Sequence, residues 1–173
     1  MGACAKDRVH KAVISVPEQR MVVLADGVPV ANYRVSTSKF GVGDRKGSNA
    51  TPLGHLEVAR KIGDGAPSGM KFKDRRPTGE IVPPNAPGRD PIVTRILWLK
   101  GMEPWNRNAY GRMIYIHGTP EENRIGTPAS FGCVRMRSSD VIALFKRMGV
   151  GASVEIVEGP LPFRSVSTAG LRR

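Results

Sequence analysis

Only one stretch of this chain has helical periodicity, and that limits what it can fold into. Val141, Leu144, Phe145 and Met148 recur at i, i+3, i+4 and i+7, the stripe of an amphipathic helix. Ser138-Ser139-Asp140 ahead of them offers an N-cap and an acidic first turn. Lys146 and Arg147 suit the C-terminal end of the dipole, and Gly149 reads as the residue beyond the helix. The other apolar residues arrive in short runs of strand length. Val13 to Val16 and Met21 to Leu24 flank a polar break, and Asp26-Gly27 supplies a turn before the alternating Val28 to Ser36. His55 to Ala59, Ile92 to Leu99, Met113 to Ile116 and Ser153 to Val157 complete the set. The expectation is a mainly β domain with one short helix and no internal repeat.

Between Lys61 and Pro91 the alternation fails, and 11 of those 31 residues are Gly or Pro. A stretch that long without periodicity reads as an insertion, either a lid or a bare surface loop. The expected organisation is a tail at 1–10, a domain at 11–157 with the insertion at 61–91, and a second tail at 158–173.

Composition removes several classes. A length of 173 residues and 40% hydrophobic content suit one packed domain. Two cysteines make no disulfide scaffold. No apolar run approaches the roughly 20 residues of a membrane span. The formal charge of +12 points to polyanions. Yet basic residues exceed acidic ones evenly along the chain, and aromatics do not alternate with Lys and Arg, so a nucleic-acid partner is disfavoured. At the start, Gly2-Ala3-Cys4 resembles the end of a lipoprotein signal, which would need a start further upstream. The alternative is a free thiol in a frayed tail. Lys6 breaks the myristoylation pattern.

The candidate chemistry lies between Ile114 and Met136. Cys133 follows Gly132, which permits a tight turn and close approach, and Arg135 two residues on would favour a thiolate. His117 ends an apolar strand just before Gly118. An imidazole there could take the thiol proton and return it to a leaving amine. His10 and His55 read as ordinary hydrogen-bonded histidines, and no further Cys or His accompanies the pair to build a zinc site. No metal or organic cofactor is expected.

These residues resemble the L,D-transpeptidase catalytic domain (the YkuD-like family). The resemblance rests on His117-Gly118, then Ser130-Phe131-Gly132-Cys133-Val134-Arg135 followed by Met136. Upstream it includes Val35-Ser36-Thr37-Ser38 and Thr51-Pro52-Leu53-Gly54. It spans about residues 11–157. It implies a β-sandwich-like fold and a peptidoglycan stem-peptide substrate. It also implies a Cys133 nucleophile with His117 as base, and an oxyanion hole at the Cys133 N–H with that of Gly132. Arg135 becomes a substrate-carboxylate or loop anchor, with a structural salt bridge as its alternative, Gly118 a substrate contact, and Ser130 and Phe131 shape the pocket. The implied location is the bacterial cell envelope, or periplasm, although no export signal is visible. A disulfide between Cys4 and Cys133 would be inhibitory. Tyr115 and Trp98 read as strand packing.

The sequence departs from the family at Phe131, where histidine is usual. Phe131 can neither accept nor donate a proton. This leaves open a second reading, a wall-binding module that has lost catalysis.

Overall fold

In the computed structural model, residues 5–163 are described. Ten strands form one mixed sheet, with order β3-β2-β1-β10-β4-β7-β5-β6; β8 pairs with β7 and β9. The N-terminal meander is β1 (His10–Ser15), β2 (Arg20–Ala25) and β3 (Val28–Arg34). Its β2–β3 turn is Asp26-Gly27, both at positive φ, as the right-handed strand twist requires of a two-residue hairpin. Then come β4 (Gly54–Ile62), β5 (Met70–Lys73), β6 (Arg76–Ile81), β7 (Ile92–Gly101), β8 (Tyr115–Gly118) and β9 (Val134–Met136). Helix α1 (Ser138–Arg147) and β10 (Ser153–Val157) finish the domain. β10 enters between β1 and β4, parallel to the first and antiparallel to the second. That joins the meander to the half of the sheet that carries β7.

The main core holds the inward side chains of β1, β2, β4, β7, β8 and β10, together with Val141, Leu144, Phe145 and Met148. The apolar stripe of the helix therefore packs as its spacing predicts. Its N-cap does not. Arg137 occupies that position with no side-chain cap. The carboxylate of Glu122 accepts the Ser138 N–H at 3.0 Å instead, and Ser138 Oγ turns to Thr94 Oγ1 at 2.6 Å. A carboxylate from another segment does the work expected of the local serines.

The Gly/Pro-rich stretch also differs from the sequence expectation. β4 runs on to Ile62, and Met70–Lys73 pairs with Arg76–Ile81 as a hairpin docked on the start of β7. Every residue of β6 is exposed, so no apolar alternation marked it. Among the described residues, no helix is long and apolar enough to cross a membrane.

β7 carries a bulge where it meets β8: Val93 pairs with Gly118 and Ile96 with His117, leaving Thr94 and Arg95 as extra residues. Thr94 sits at φ 76°, a costly conformation for a β-branched residue, of the order of 1–3 kcal/mol. It is held by its hydroxyl contacts to Gly69 N–H and Ser138. The bulge bends the strand directly opposite His117. Gly118 is needed there because a Cβ would lie 2.5 Å from the Val93 carbonyl oxygen. Gly118→Ala is therefore expected to destabilise the fold by about 1–3 kcal/mol, read as a lower urea midpoint with unchanged slope; an unchanged midpoint would show that the bulge yields freely.

Candidate active site

Cys133 lies in a loop just before β9, and the loop depends on two remote segments. Ser36 exchanges backbone hydrogen bonds with Arg135, Thr37 O accepts from Ala129 and Ser130, and Lys39 N–H donates to Ser130 O. Thr51 Oγ1 donates to Gly132 O at 2.9 Å and accepts from Ser38 N–H at 3.0 Å. Gly132 stands at φ 122° with Ala50 O close to where a Cβ would be, so a side chain there would be strained as well as crowded. Ser130 is buried inside the turn. Its hydroxyl donates to Cys133 O at 2.5 Å and accepts from Gly132 N–H at 3.2 Å. The Gly132 N–H expected in an oxyanion hole is thus already engaged. The Cys133 N–H makes no hydrogen bond among the described residues.

Cys133 Sγ accepts from Tyr115 N–H at 3.3 Å and donates to Met113 O at 3.4 Å. Burial pushes its pKa up to about 11; the Tyr115 N–H and the charges of Arg112 and Arg135 pull against that. Part of Cys133 still faces a cleft, which moderates the desolvation. His117 is buried, and burial pushes its pKa down to about 4. Its Nδ1 lies 2.7 Å from Gly118 O. A carbonyl only accepts, so Nδ1 carries the proton and Nε2 keeps a free lone pair. The two side chains share a cleft of about 140 Å³ with Asp90, Ile92 and Phe131, with no hydrogen bond between them. Neutral thiol and neutral imidazole are the resting pair.

Two residues expected at the substrate also have partners within the protein. Gly118 is sealed inside β8, where its carbonyl fixes the His117 ring. Arg135 is 2% exposed. Its Nη1 bonds Asp90 Oδ2 and, at 3.2 Å, Glu121 Oε2, while buried Nε and Nη2 have no partner. It lines the cleft with Cys133 and His117 and ties down the two loops that carry Asp90 and Glu121. Phe131 is exposed at the cleft rim, its ring 5.6 Å from that of Phe40 and under the Lys39 ammonium at 4.4 Å. Trp98 and Tyr115 are buried in strand packing, as expected. Cys4 lies outside the described residues.

Three contributors had no signal in the sequence. Arg112 forms a buried ion pair with Asp44 at 2.9 Å and also donates to Ala50 O, bracing the loop behind Cys133. Asp90 sits in the Gly/Pro-rich stretch. Arg75, at the tip of the β5–β6 hairpin, joins Phe72, Asp74, Met113 and Tyr115 around a second cleft of about 250 Å³ that also opens on Cys133. Among the described residues, no group of three His, Cys, Asp or Glu is arranged to hold a metal ion.

The raised thiol pKa fixes a pH dependence. Thiolate is the reactive form, so Cys133 alkylation by iodoacetamide, followed on its own peptide by mass spectrometry, should rise about tenfold per pH unit from 7 to 9. A rate that levels off below pH 8 would contradict the buried neutral pair.

Comparison with known proteins identifies the family. The family model of the L,D-transpeptidase catalytic domain matches residues 10–156. The chain is 41% identical over 161 residues to the probable L,D-transpeptidase YbiS of Escherichia coli, covering 90% of this chain and 47% of that protein. It is 27% identical over 165 residues to the probable L,D-transpeptidase ErfK/SrfK of Salmonella typhimurium, covering 92% and 48%. The chain thus spans about half the length of these relatives. Among solved structures, an L,D-transpeptidase of Xylanimonas cellulosilytica superposes with TM-score 0.55 at 19% identity, covering 90% of this chain and 65% of that one. L,D-transpeptidase 3 of Mycobacterium tuberculosis, with a faropenem-derived adduct, gives 0.55 at 16%, covering 86% and 60%. The chain belongs to the L,D-transpeptidase catalytic-domain family.

Proposed function

We propose that this domain is a cysteine-dependent peptidoglycan L,D-transpeptidase of the bacterial cell envelope. The observation that carries the reading is that His117 and Cys133 line one cleft while the Gly118 carbonyl engages Nδ1 of His117, so that Nε2 keeps its lone pair.

The chemistry follows from the neutral resting pair. A peptide bound in the cleft displaces water, and the Cys133 thiol turns from Met113 O toward His117. Sγ attacks the carbonyl at the L-centre of the third stem residue while its proton passes to Nε2. Separating charge in so dry a site is costly, so proton transfer accompanies attack instead of preceding it. The Cys133 N–H stabilises the developing oxyanion, a kind of contact worth about 2.7–4 kcal/mol when lost elsewhere. The carbon–nitrogen bond breaks, Nε2 returns the proton to the leaving amine, and D-Ala departs. An acceptor amine then attacks the thioester, gives its proton to Nε2 and releases Cys133, leaving a 3→3 cross-link. Water in the same position gives a carboxypeptidase. Arg135 and Asp90 hold the loops around His117 and act as positioning residues.

The second reading, a wall-binding module without turnover, draws on Phe131. Its exposed ring is a contact surface, and the family's usual second histidine is gone. Against it, neither the tautomer lock nor the inward Cys133 thiol contributes anything to mere adhesion.

Stem tetrapeptides incubated with the protein and read by liquid chromatography–mass spectrometry separate the two. Turnover should fall at least about 10³-fold in Cys133→Ala and in His117→Ala, with unfolding midpoints near that of the parent. Binding to sacculi with no D-Ala release by the parent would favour the module.

A further inference from the structure

Four cations gather on the hairpin side of Cys133. Arg60 of β4 and Lys73, Arg75 and Arg76 of the β5–β6 hairpin line a groove of about 630 Å³, with Asp74 as its one carboxylate. Among the described residues none of the four makes an ion pair. On the same hairpin Glu80 takes Lys71 at 3.0 Å, and also Arg89 from the segment that follows at 2.7 Å. What sets the groove apart is that it gathers four unpaired cations around a single carboxylate.

The fold holds these charges together. Arg60 lies opposite Trp98 in the β4–β7 ladder. Its guanidinium sits 5.4 Å from the centre of the Trp98 ring, and that of Arg75 sits at 5.0 Å. Tyr110 stacks on Trp98 at 4.3 Å, nearly parallel. The indole thus serves as a platform for two guanidinium groups that repel each other. Arg75 also occupies a left-handed position, φ 64°, after Asp74 at φ 49°, where glycine is the usual residue of such a turn. Its Nη1 reaches Tyr115 Oη and Met113 Sδ, each at 3.4 Å. Arg75 and Asp74 line both this groove and the second cleft on Cys133, so the two spaces adjoin.

Which end of a substrate lies there follows from proton traffic. The leaving amine must collect its proton from His117, and the acceptor amine must deliver one to it. Both amines therefore pass through the His117 cleft. The acyl part of the donor extends the other way, past Tyr115 and Arg75. We propose that the groove of Arg60, Lys73, Arg75 and Arg76 binds carboxylates on the acyl side of the donor peptide, so that this enzyme selects donors whose carboxylates are free over donors in which they are amidated. The inference rests on the transpeptidase reading for its direction.

The test uses two fluorescent stem tetrapeptides, one with free acyl-side carboxylates and one amidated there. Each is titrated by anisotropy into Cys133→Ala protein, which removes turnover. The free acid should bind about tenfold more tightly. Adding Arg60→Gln, Lys73→Gln and Arg76→Gln should remove that preference by weakening the free acid alone. Arg60→Lys with Arg76→Lys, which keeps the charge, should retain it and show that the fold is intact. Equal binding of the two peptides, or a preference that survives neutralisation, would overturn the proposal. Acyl-enzyme formation by the protein with Cys133 intact is scored separately: its absence alongside a clear binding preference would refute the transpeptidase reading and leave the groove standing.

Discussion

The threonine hydroxyl at the back of the cysteine loop is the contact on which the site depends. Thr51 Oγ1 joins Ser38 N–H to Gly132 O, and so clamps three distant pieces of chain at one buried point. Without it, the left-handed turn at Gly132 has no support from outside its own loop. The ladder from Ser36 to Lys39 then fixes the rest of the loop residue by residue. Cys133 is placed by backbone pairing and not by a helix N-terminus. Its electrostatics follow from that: a thiol packed against strand backbone, without a helix dipole to favour the anion, stays protonated at neutral pH.

The histidine is fixed by an equally local device. The β7 bulge at Thr94 and Arg95 bends the strand opposite His117, and Gly118, which no larger residue could replace without moving Val93, offers its carbonyl to Nδ1. Strain at Thr94 is offset by its hydroxyl partners. Thr94 opposite His117 and Gly132 beside Cys133 thus put unusual backbone geometry next to both reactive side chains. That is where stored strain has a use.

Much of this was legible in the sequence, and the reasons for the gaps are physical. The strands and α1 announced themselves because each buries one face, and His117 and Cys133 stood out by their flanking glycines. The β5–β6 hairpin did not, because β6 is exposed on every residue and its turn is Asp74-Arg75 where glycine or asparagine would have signalled it. The capping of α1 by Glu122, the pairing of Arg135 with Asp90 and that of Arg112 with Asp44 join residues 16 or more positions apart. Such pairs leave no periodic trace. Arg135 shows the consequence: its ion pairs with Asp90 and Glu121 anchor two loops whose approach nothing in the local sequence announces.

Within the even spread of positive charge along the chain, the fold brings four cations together in one groove beside the cleft. What the fold contributes there is placement: β4, β7 and the hairpin bring Arg60, Trp98 and Arg75 to one spot from three parts of the chain. The account still turns on a single atom, Cys133 Sγ. Intact-protein mass spectrometry after incubation with a carbapenem tests it most directly. The account predicts one added drug mass, mapped to the Cys133 peptide and absent from Cys133→Ala. An unmodified protein, or an adduct that persists in Cys133→Ala, would contradict it.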